Sequence, residues 1–149
     1  MIDRTARNRL AGEIRHFVAG LKDNFEFDDA VWSIHTGDAG VGAIRQQMWF
    51  VYDDLRRHQL RGEWALSEKQ GQAIARCILF LKSDCEYRWP RKYREVPWVQ
   101  RLISILTLGI VRRRLDRTGQ ESGAWEVWPF LTVEEFKAAN RTPVYLANR

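Results

Sequence analysis

The first half of the chain carries two helical stripes of apolar residues. The first covers residues 4–22 and consists of Ala6, Leu10, Ile14, Phe17, Val18 and Leu21. Such a stripe predicts an amphipathic helix whose apolar face packs on a core. The second covers residues 41–59, and Trp49 and Phe50 widen it. This second pattern indicates a helix that is buried on more than one side.

Shorter signals lie between and after these stripes. An acidic doublet opens a predicted helical turn over residues 28–34, where carboxylates suit the positive end of the helix dipole. Residues 35–40 are rich in turn formers and predict a loop. Ser67 and Gln70 have the spacing of a capping box, which predicts the start of a third long helix.

Two segments that end in Trp-Pro predict short β-strands, at residues 85–89 and 124–130. A helix is predicted between them at residues 97–116, and it is apolar over most of its circumference. Thr132 and Glu135 form a second capping-box pattern, which opens a helix of about nine residues. The two strands are expected to pair, in either direction, and to be covered by helices, because a two-stranded sheet is marginal alone.

These elements predict one α+β domain, predominantly α, that spans residues 1–149. We expect a bundle of about four main helices with a small two-stranded sheet. The helical part covers about residues 4–83, and the strand-helix-strand-helix part covers about residues 85–140.

Charge is distributed unevenly along the chain, whose net charge is +5. Residues 88–117 hold nine basic groups against two acidic ones, a balance of +7. Residues 22–38 hold one lysine against five acidic groups, a balance of −4. Because the two fields are opposite, they could pair within one molecule or between two copies.

The basic region provides the main functional hypothesis, a surface rich in arginine and tryptophan. Its residues are Arg91, Lys92, Arg94, Arg112, Arg113, Arg114, Trp89 and Trp98. Arginines neutralise phosphates and aromatic rings stack on bases, so a macromolecular partner is predicted and nucleic acid is one alternative. The arginine run also lies where a helix dipole favours positive charge, so a solvated or ion-paired role explains it as well.

The apolar helix at residues 97–116 allows three interpretations: a core helix, a homodimer seam, or a helix lying in a membrane surface. Its most apolar run, residues 102–111, would span roughly 15 Å, about half of a bilayer core. A membrane-spanning helix is therefore not expected. The first twenty residues also lack the uncharged stretch of a signal peptide.

Catalytic and metal-binding patterns are sparse. Glu13 and His16 have the spacing of a di-iron ligand pair, but no second such pair occurs in the sequence. His58, with Asp54 one turn before it, and His35 could contribute to a site assembled from distant segments. An enzyme using scattered His, Asp and Glu residues thus stays an alternative, and no cofactor is predicted.

The two cysteines, Cys77 and Cys85, form neither a disulfide framework nor a zinc motif. Cys77 lies on an apolar helical face, which indicates a small core residue. A reducing compartment fits this usage, and a cytoplasmic location is expected. The sequence predicts a non-enzymatic binding or regulatory module.

Overall fold

The computed structural model describes residues 1–53, 55–89 and 125–141. These residues form five α-helices and two short 3-10 turns, at Gly62–Trp64 and Trp125–Val127. The helices are α1 (Arg4–Val18), α2 (Asn24–Trp32), α3 (Ala39–Met48), α4 (Glu68–Lys82) and α5 (Val133–Arg141). The predominance of helix is therefore confirmed. None of these helices has both the length and the apolar character needed to cross a membrane.

The central helix is α1, which packs against α2, α3 and α4, while α5 packs against α4. Four residues of its predicted apolar stripe are buried, Ala6, Leu10, Ile14 and Phe17, whereas Val18 and Leu21 are exposed by 36% and 68%. Each fully buried Leu, Ile or Phe side chain contributes about 1.5–3 kcal/mol to folding. Val127 and Phe130 belong to the same hydrophobic cluster, so the chain beyond residue 124 shares the core of the helices.

The first helix ends at Val18, earlier than the predicted residue 22. Gly20 follows with a φ of 66°, and its N–H donates to the Phe17 carbonyl at 2.9 Å. This left-handed turn stops the helix. A Cβ atom at this position would lie 2.4 Å from Nε of Arg61, so both the backbone and the space around it favour glycine.

Helix α2 begins earlier than predicted, because a capping box formed by Asp23 and Glu26 sets its N-terminus. The Asp23 carboxylate accepts from the backbone of Phe25 and Glu26, and the Glu26 side chain accepts from the Asp23 N–H. The helix therefore starts at Asn24, and the acidic doublet at 28–29 lies beyond its first turn. Its predicted role at the helix start is wrong.

The capping box predicted at Ser67 is confirmed, and the one predicted at Thr132 forms only the bond from the Glu135 N–H to the Thr132 side chain. At the start of α4, the Ser67 side chain accepts from the Gln70 N–H, and the Gln70 side chain accepts from the Ser67 N–H. Thr132 accepts from the Glu135 N–H at 3.2 Å before α5. The Glu135 carboxylate accepts instead from the Leu131 N–H, one residue earlier than in a standard capping box.

The predicted sheet is not formed by the described residues, which contain no β-strand. At 85–89 the chain is extended but irregular, and its Cys85 carbonyl accepts from the buried Arg7 side chain at 2.8 Å. At 125–130 the chain forms a 3-10 turn followed by a cis Trp128–Pro129 bond. The two Trp-Pro segments nevertheless meet, since the Trp89 indole donates to the Pro129 and Phe130 carbonyls at 3.1 Å. A side chain, rather than a backbone ladder, joins them.

Helix α3 ends at Met48, so the prediction of a helix over 41–59 is wrong in its second half. The segment that follows is held by Asn24 on α2, whose amide donates to the carbonyls of Asp53 and Arg56 at 2.6 and 3.0 Å. Its carbonyl oxygen accepts from the His58 N–H at 2.9 Å. Because this buried side chain satisfies the backbone of the following loop, the loop needs no helical hydrogen bonds there.

Candidate binding surface

Most of the predicted binding residues lie outside the described residues: Arg91, Lys92, Arg94, Trp98, Arg112, Arg113 and Arg114. The predicted helix at 97–116 lies outside them as well. Trp89 is described and is buried, at 7% exposure, with its indole N–H bonded to backbone carbonyls. Its ring is packed inside the protein and leaves little surface for a partner.

The histidines proposed for a metal site do not converge. His16 and His35 are exposed, whereas His58 is buried and stacks on Trp64 with ring centroids 4.2 Å apart. His58 Nδ1 lies 2.7 Å from the Arg56 carbonyl oxygen. Within residues 1–53, 55–89 and 125–141, no group of three or more His, Cys, Asp or Glu side chains could hold a metal ion.

Cys77 is a buried thiol on α4, as predicted. Burial raises its pKa to about 12, because the thiolate would lose its hydration, and the nearby Arg76 offsets only part of this effect. The thiol therefore stays protonated at neutral pH. Its position favours a packing role over nucleophilic chemistry.

A group of exposed aromatic side chains lies near the C-terminal ends of α2 and α3. Trp32, Trp49 and Phe50 are exposed by 45%, 42% and 58%. Together with Gln46 they line a shallow concavity of about 210 Å³, which we call the aromatic surface. Large aromatic side chains in a contiguous exposed patch are typical of interaction sites, whereas a single exposed apolar residue is ordinary.

The aromatic surface is anchored to the core through Tyr52. The Tyr52 ring meets Phe17 and Phe27 edge-on, at centroid distances of 5.6 and 5.8 Å. Phe17 and Phe27 are themselves stacked, 4.4 Å apart. On the outer side, Tyr52 lies 6.3 Å from the ring of Trp49. A continuous chain of rings thus runs from the core to the surface and positions Trp49.

A carboxylate joins the rings at their polar edges. Asp28 Oδ1 accepts from the Trp32 indole N–H at 2.9 Å and from the Tyr52 hydroxyl at 2.6 Å. Asp28 is one helical turn before Trp32, which is the spacing at which two side chains meet. These bonds orient the Trp32 ring although it is nearly half exposed.

An arginine lies on the Trp32 ring. The Arg45 guanidinium carbon is 4.4 Å from the ring centroid, and Nη1 donates to the Ile34 carbonyl at 3.1 Å. Arg45 Nε is buried and has no hydrogen-bond partner among the described residues. The contact has the geometry of a cation–π interaction. It shows that one face of this ring already holds a positive charge.

An apolar groove of about 290 Å³ adjoins the aromatic surface and shares Phe50 with it. It lies between the C-terminal end of α3 and the middle of α4. Its lining comprises Gln47, Met48, Phe50, Val51, Gln70, Ala73, Ile74, Arg76, Cys77 and Trp128. The groove therefore extends the aromatic surface with aliphatic side chains.

A buried ion pair joins Arg7 on α1 to Asp38, the residue that caps α3. Arg7 Nε donates to Asp38 Oδ2 at 2.7 Å, and both side chains are 1% exposed. Burial alone would raise the pKa of the Asp38 carboxyl. Hydrogen bonds from Arg7 and from the Asp3 and Gly40 N–H groups, with the charge of Arg7, outweigh burial and hold that pKa below its usual value.

Arg7 also links three parts of the fold. Its Nη1 donates to the carbonyls of Ser83 and Cys85, at 3.1 and 2.8 Å, and its guanidinium lies 5.0 Å from the centroid of Phe80. Since Asp38 caps α3, the pair ties α1, the start of α3 and the end of α4 together. Its bonds are all internal, which assigns it to the architecture rather than to a ligand site.

The residues of the aromatic surface were not predicted as functional. Trp49 and Phe50 were assigned to a multiply buried helix, and their exposure shows that this interpretation is wrong. One signal in the sequence favoured the correct answer: both residues fall off the stripe of Val41, Ile44 and Met48, which is buried. Comparison of the chain with protein-family models, curated proteins and solved structures found no match.

Proposed function

We propose that the protein is a non-enzymatic binding or regulatory module that contacts a macromolecular partner in the cytoplasm. The observation that supports this proposal best is the aromatic surface, where Trp32, Trp49 and Phe50 surround a concavity of about 210 Å³. Tryptophan and arginine are enriched among the residues that dominate binding energy at protein interfaces. Here an arginine-backed tryptophan is held in place before any partner arrives, which reduces the ordering cost of binding.

The concavity is smaller than the sites that usually hold small molecules, which measure about 300–1,000 Å³. It suits one or two side chains of a protein partner better than a drug-sized ligand. Two free thiols in the chain fit a reducing compartment. The arginine- and tryptophan-rich region at 88–117 is proposed as a second contact region, and its residues 90–117 lie outside the described part of the chain.

Photo-crosslinking from two matched positions tests the proposal. A benzophenone amino acid replaces Gln46, which lines the aromatic surface, or Gln72, which is exposed on α4. In the cell extract of the source organism, we expect a discrete crosslinked protein from position 46 and none from position 72. Trp49→Ser should abolish that adduct, and the identified partner should bind the purified protein at least ten-fold more tightly than the Trp49→Ser variant.

Equal crosslinking from both positions, or an adduct that survives Trp49→Ser, would remove the aromatic surface as the binding site. Circular dichroism and thermal unfolding of the Trp49→Ser variant check that its fold is intact. Because Trp49 is 42% exposed, we expect a change in unfolding free energy of no more than about 1 kcal/mol.

Nucleic-acid binding through residues 88–117 is a second candidate, favoured by the local balance of nine basic groups to two acidic ones. Arginine and lysine contacts to phosphate release counterions, so the logarithm of affinity falls linearly with that of salt concentration. For a mixed-sequence RNA or DNA, the slope should become shallower in the triple variant Arg91→Ala/Lys92→Ala/Arg94→Ala.

The control for this test removes three basic groups elsewhere, in the triple variant Arg9→Ala/Arg15→Ala/Arg56→Ala. All three control positions are exposed. A salt slope that is unchanged by the first triple variant, or changed equally by both, would eliminate nucleic-acid binding through this region.

A further inference from the structure

We infer that the aromatic surface recognises a positively charged side chain, arginine or lysine, on an apolar segment of a partner protein. The inference rests on the binding function proposed above and specifies the chemistry of the partner. It is carried by the unpaired carboxylates beside the exposed rings, by the size of the concavity and by the sign of the local charge.

Two carboxylates next to Trp32 have no cationic partner in the described part of the chain. Asp28 and Asp29 precede Trp32 by four and three residues, so both lie next to it on α2. The described ion pairs use other acids: Asp23 with Arg57, Asp38 with Arg7, Asp84 with Arg4, Glu13 with Lys22, Glu86 with the N-terminus and Glu135 with Arg88. Asp28 and Asp29 therefore place two carboxylates beside Trp32 that form no ion pair within the described residues, while the Arg45 guanidinium lies on the ring itself.

The Asp28 carboxylate is held ready to accept a further donor. Both of its hydrogen bonds, from Trp32 and Tyr52, go to Oδ1 and come from neutral groups. Within the described residues, Oδ2 receives no hydrogen bond. An ammonium or guanidinium group approaching along the Trp32 ring would meet this oxygen. Hydrogen bonds between charged groups are roughly twice as strong as those between neutral groups.

The rings complete a site for a cation. Trp32 and Trp49 are exposed by 45% and 42%, and a positive group over the face of a tryptophan is attracted by the ring quadrupole. Arg45 occupies one face of Trp32, at 4.4 Å, and displays the same interaction within the molecule. The incoming side chain is therefore placed over Trp49 and the Asp28 edge, away from the charge of Arg45, while Phe50 offers contact to apolar neighbours.

The sign of the charge decides the class of partner. Within residues 22–38, Asp23 and Asp38 are paired with arginines, but Asp28 and Asp29 beside Trp32 form no ion pair among the described residues, and such carboxylates disfavour the phosphate groups of nucleic acids and of anionic membranes. Aromatic anchors and a pocket of side-chain size are typical of protein–protein contacts. A basic, apolar protein segment satisfies both the charge and the rings.

The test uses the full-length protein and two fluorescent twelve-residue peptides, one alternating arginine with leucine and one alternating glutamate with leucine. Fluorescence anisotropy should show binding of the arginine peptide and at least ten-fold weaker binding of the glutamate peptide. Asp28→Asn preserves an acceptor for Trp32 and Tyr52 while removing the charge. We expect it to weaken binding of the arginine peptide roughly five-fold, an effect that added salt reduces.

The matched control is Glu134→Gln, which removes one negative charge from an exposed position on α5. It should leave the affinity within a factor of about two. Equal weakening by both variants would show that only the net charge matters and would overturn the inference. Thermal unfolding of both variants confirms that the fold is retained.

Other outcomes separate the inference from the proposed function. Peptide binding that is lost in Trp49→Ser, equal for both peptides and unchanged in Asp28→Asn, overturns the inference but leaves the binding module in place. A mixed-sequence RNA that binds in a Trp49-dependent manner overturns the choice of a protein partner. Light scattering that shows a dimer dissociated by Asp28→Asn assigns the surface to a second copy of this chain and likewise overturns it.

Discussion

Three arginines of the described residues lie on aromatic rings, Arg7, Arg45 and Arg57, and the surroundings of the first two differ in burial and in hydrogen bonding. Arg7 has no exposed surface and spreads its hydrogen bonds over Asp38 and two backbone carbonyls beside the Phe80 ring. Arg45 lies on the half-exposed Trp32 ring, with one hydrogen bond to a carbonyl. The same pair of chemical groups thus serves the architecture in one place and shapes an exposed surface in the other. The buried carboxylate of Asp38 makes the difference, since Arg45 forms no ion pair within the described residues.

The comparison predicts that the buried arginine matters most for stability. Arg7→Met should lower the free energy of unfolding by about 3–5 kcal/mol, because Asp38 would remain buried without its counter-charge. Denaturant unfolding followed by circular dichroism measures this loss. The double variant Arg7→Met/Asp38→Asn should be more stable than Arg7→Met alone, since the stranded charge is removed and asparagine can still cap α3. A loss below about 1 kcal/mol for Arg7→Met would contradict the assignment.

A second buried polar group extends the comparison from charges to amides. Asn24→Ala should cost about 2–3 kcal/mol, because the carbonyls of Asp53 and Arg56 and the N–H of His58 would lose their buried partner. Native-state hydrogen exchange should show faster exchange at the His58 amide than in the wild type.

Asn8→Ala is the matched control for that prediction. Asn8 lies exposed on α1 and accepts one bond from Lys82. We expect its replacement to change stability by no more than about 0.5 kcal/mol. Equal effects of the two substitutions would show that Asn24 does not hold the loop.

The ion pair between Arg7 and Asp38 should also affect how the free energy of unfolding depends on pH. The pKa of Asp38 in the folded protein lies below its ordinary value of 3.8. Its contribution is therefore fully present above the unfolded value and is lost as the pH falls through the folded value. Unfolding measured between pH 5 and pH 2 should show a decline that is shallower in Asp38→Asn. Asp3, whose pKa is lowered by hydrogen bonds from Ala6 and Thr36, continues to contribute in that variant.

The smallest stability effect is expected at the surface arginine. Arg45→Met should change the free energy of unfolding by about 1 kcal/mol or less, because the cation–π contact is partly hydrated. It should alter the fluorescence of Trp32 and the affinity of the arginine peptide without unfolding the protein. A loss as large as that of Arg7→Met would erase the distinction between the two arginines.

Local patterns in the sequence predicted the parts of the fold that depend on neighbouring residues. The stripe of α1 is buried as far as Phe17, and the caps at Ser67 and Thr132 open α4 and α5 where predicted. Patterns of this kind act over three or four residues, so they can be read without a structure. The alternation of side chains at 85–89 and 124–130 predicted two strands, but the described residues form no sheet.

The candidate site could not be predicted in the same way, because exposure depends on what packs against a residue. The sequence pattern predicts that Trp49 and Phe50 extend a buried helix, yet α3 ends at Met48 and both side chains are exposed. The sequence pattern places Trp89 on a binding surface, yet its indole is buried and donates to the carbonyls of Pro129 and Phe130. The backbone after α3 and the Trp89 indole are held by contacts with residues 29 to 41 positions away in the chain.

The sequence by itself determined the helical character of this protein, the starts of two helices and the apolar faces they bury. Those features follow from backbone hydrogen bonding and side-chain periodicity within a single turn. Only the tertiary structure decided where α3 ends, which tryptophans meet solvent and how the stretch after α4 is held. There the backbone is bound by side chains of Asn24 and Arg7, which are distant in sequence, and no local pattern specifies such partners.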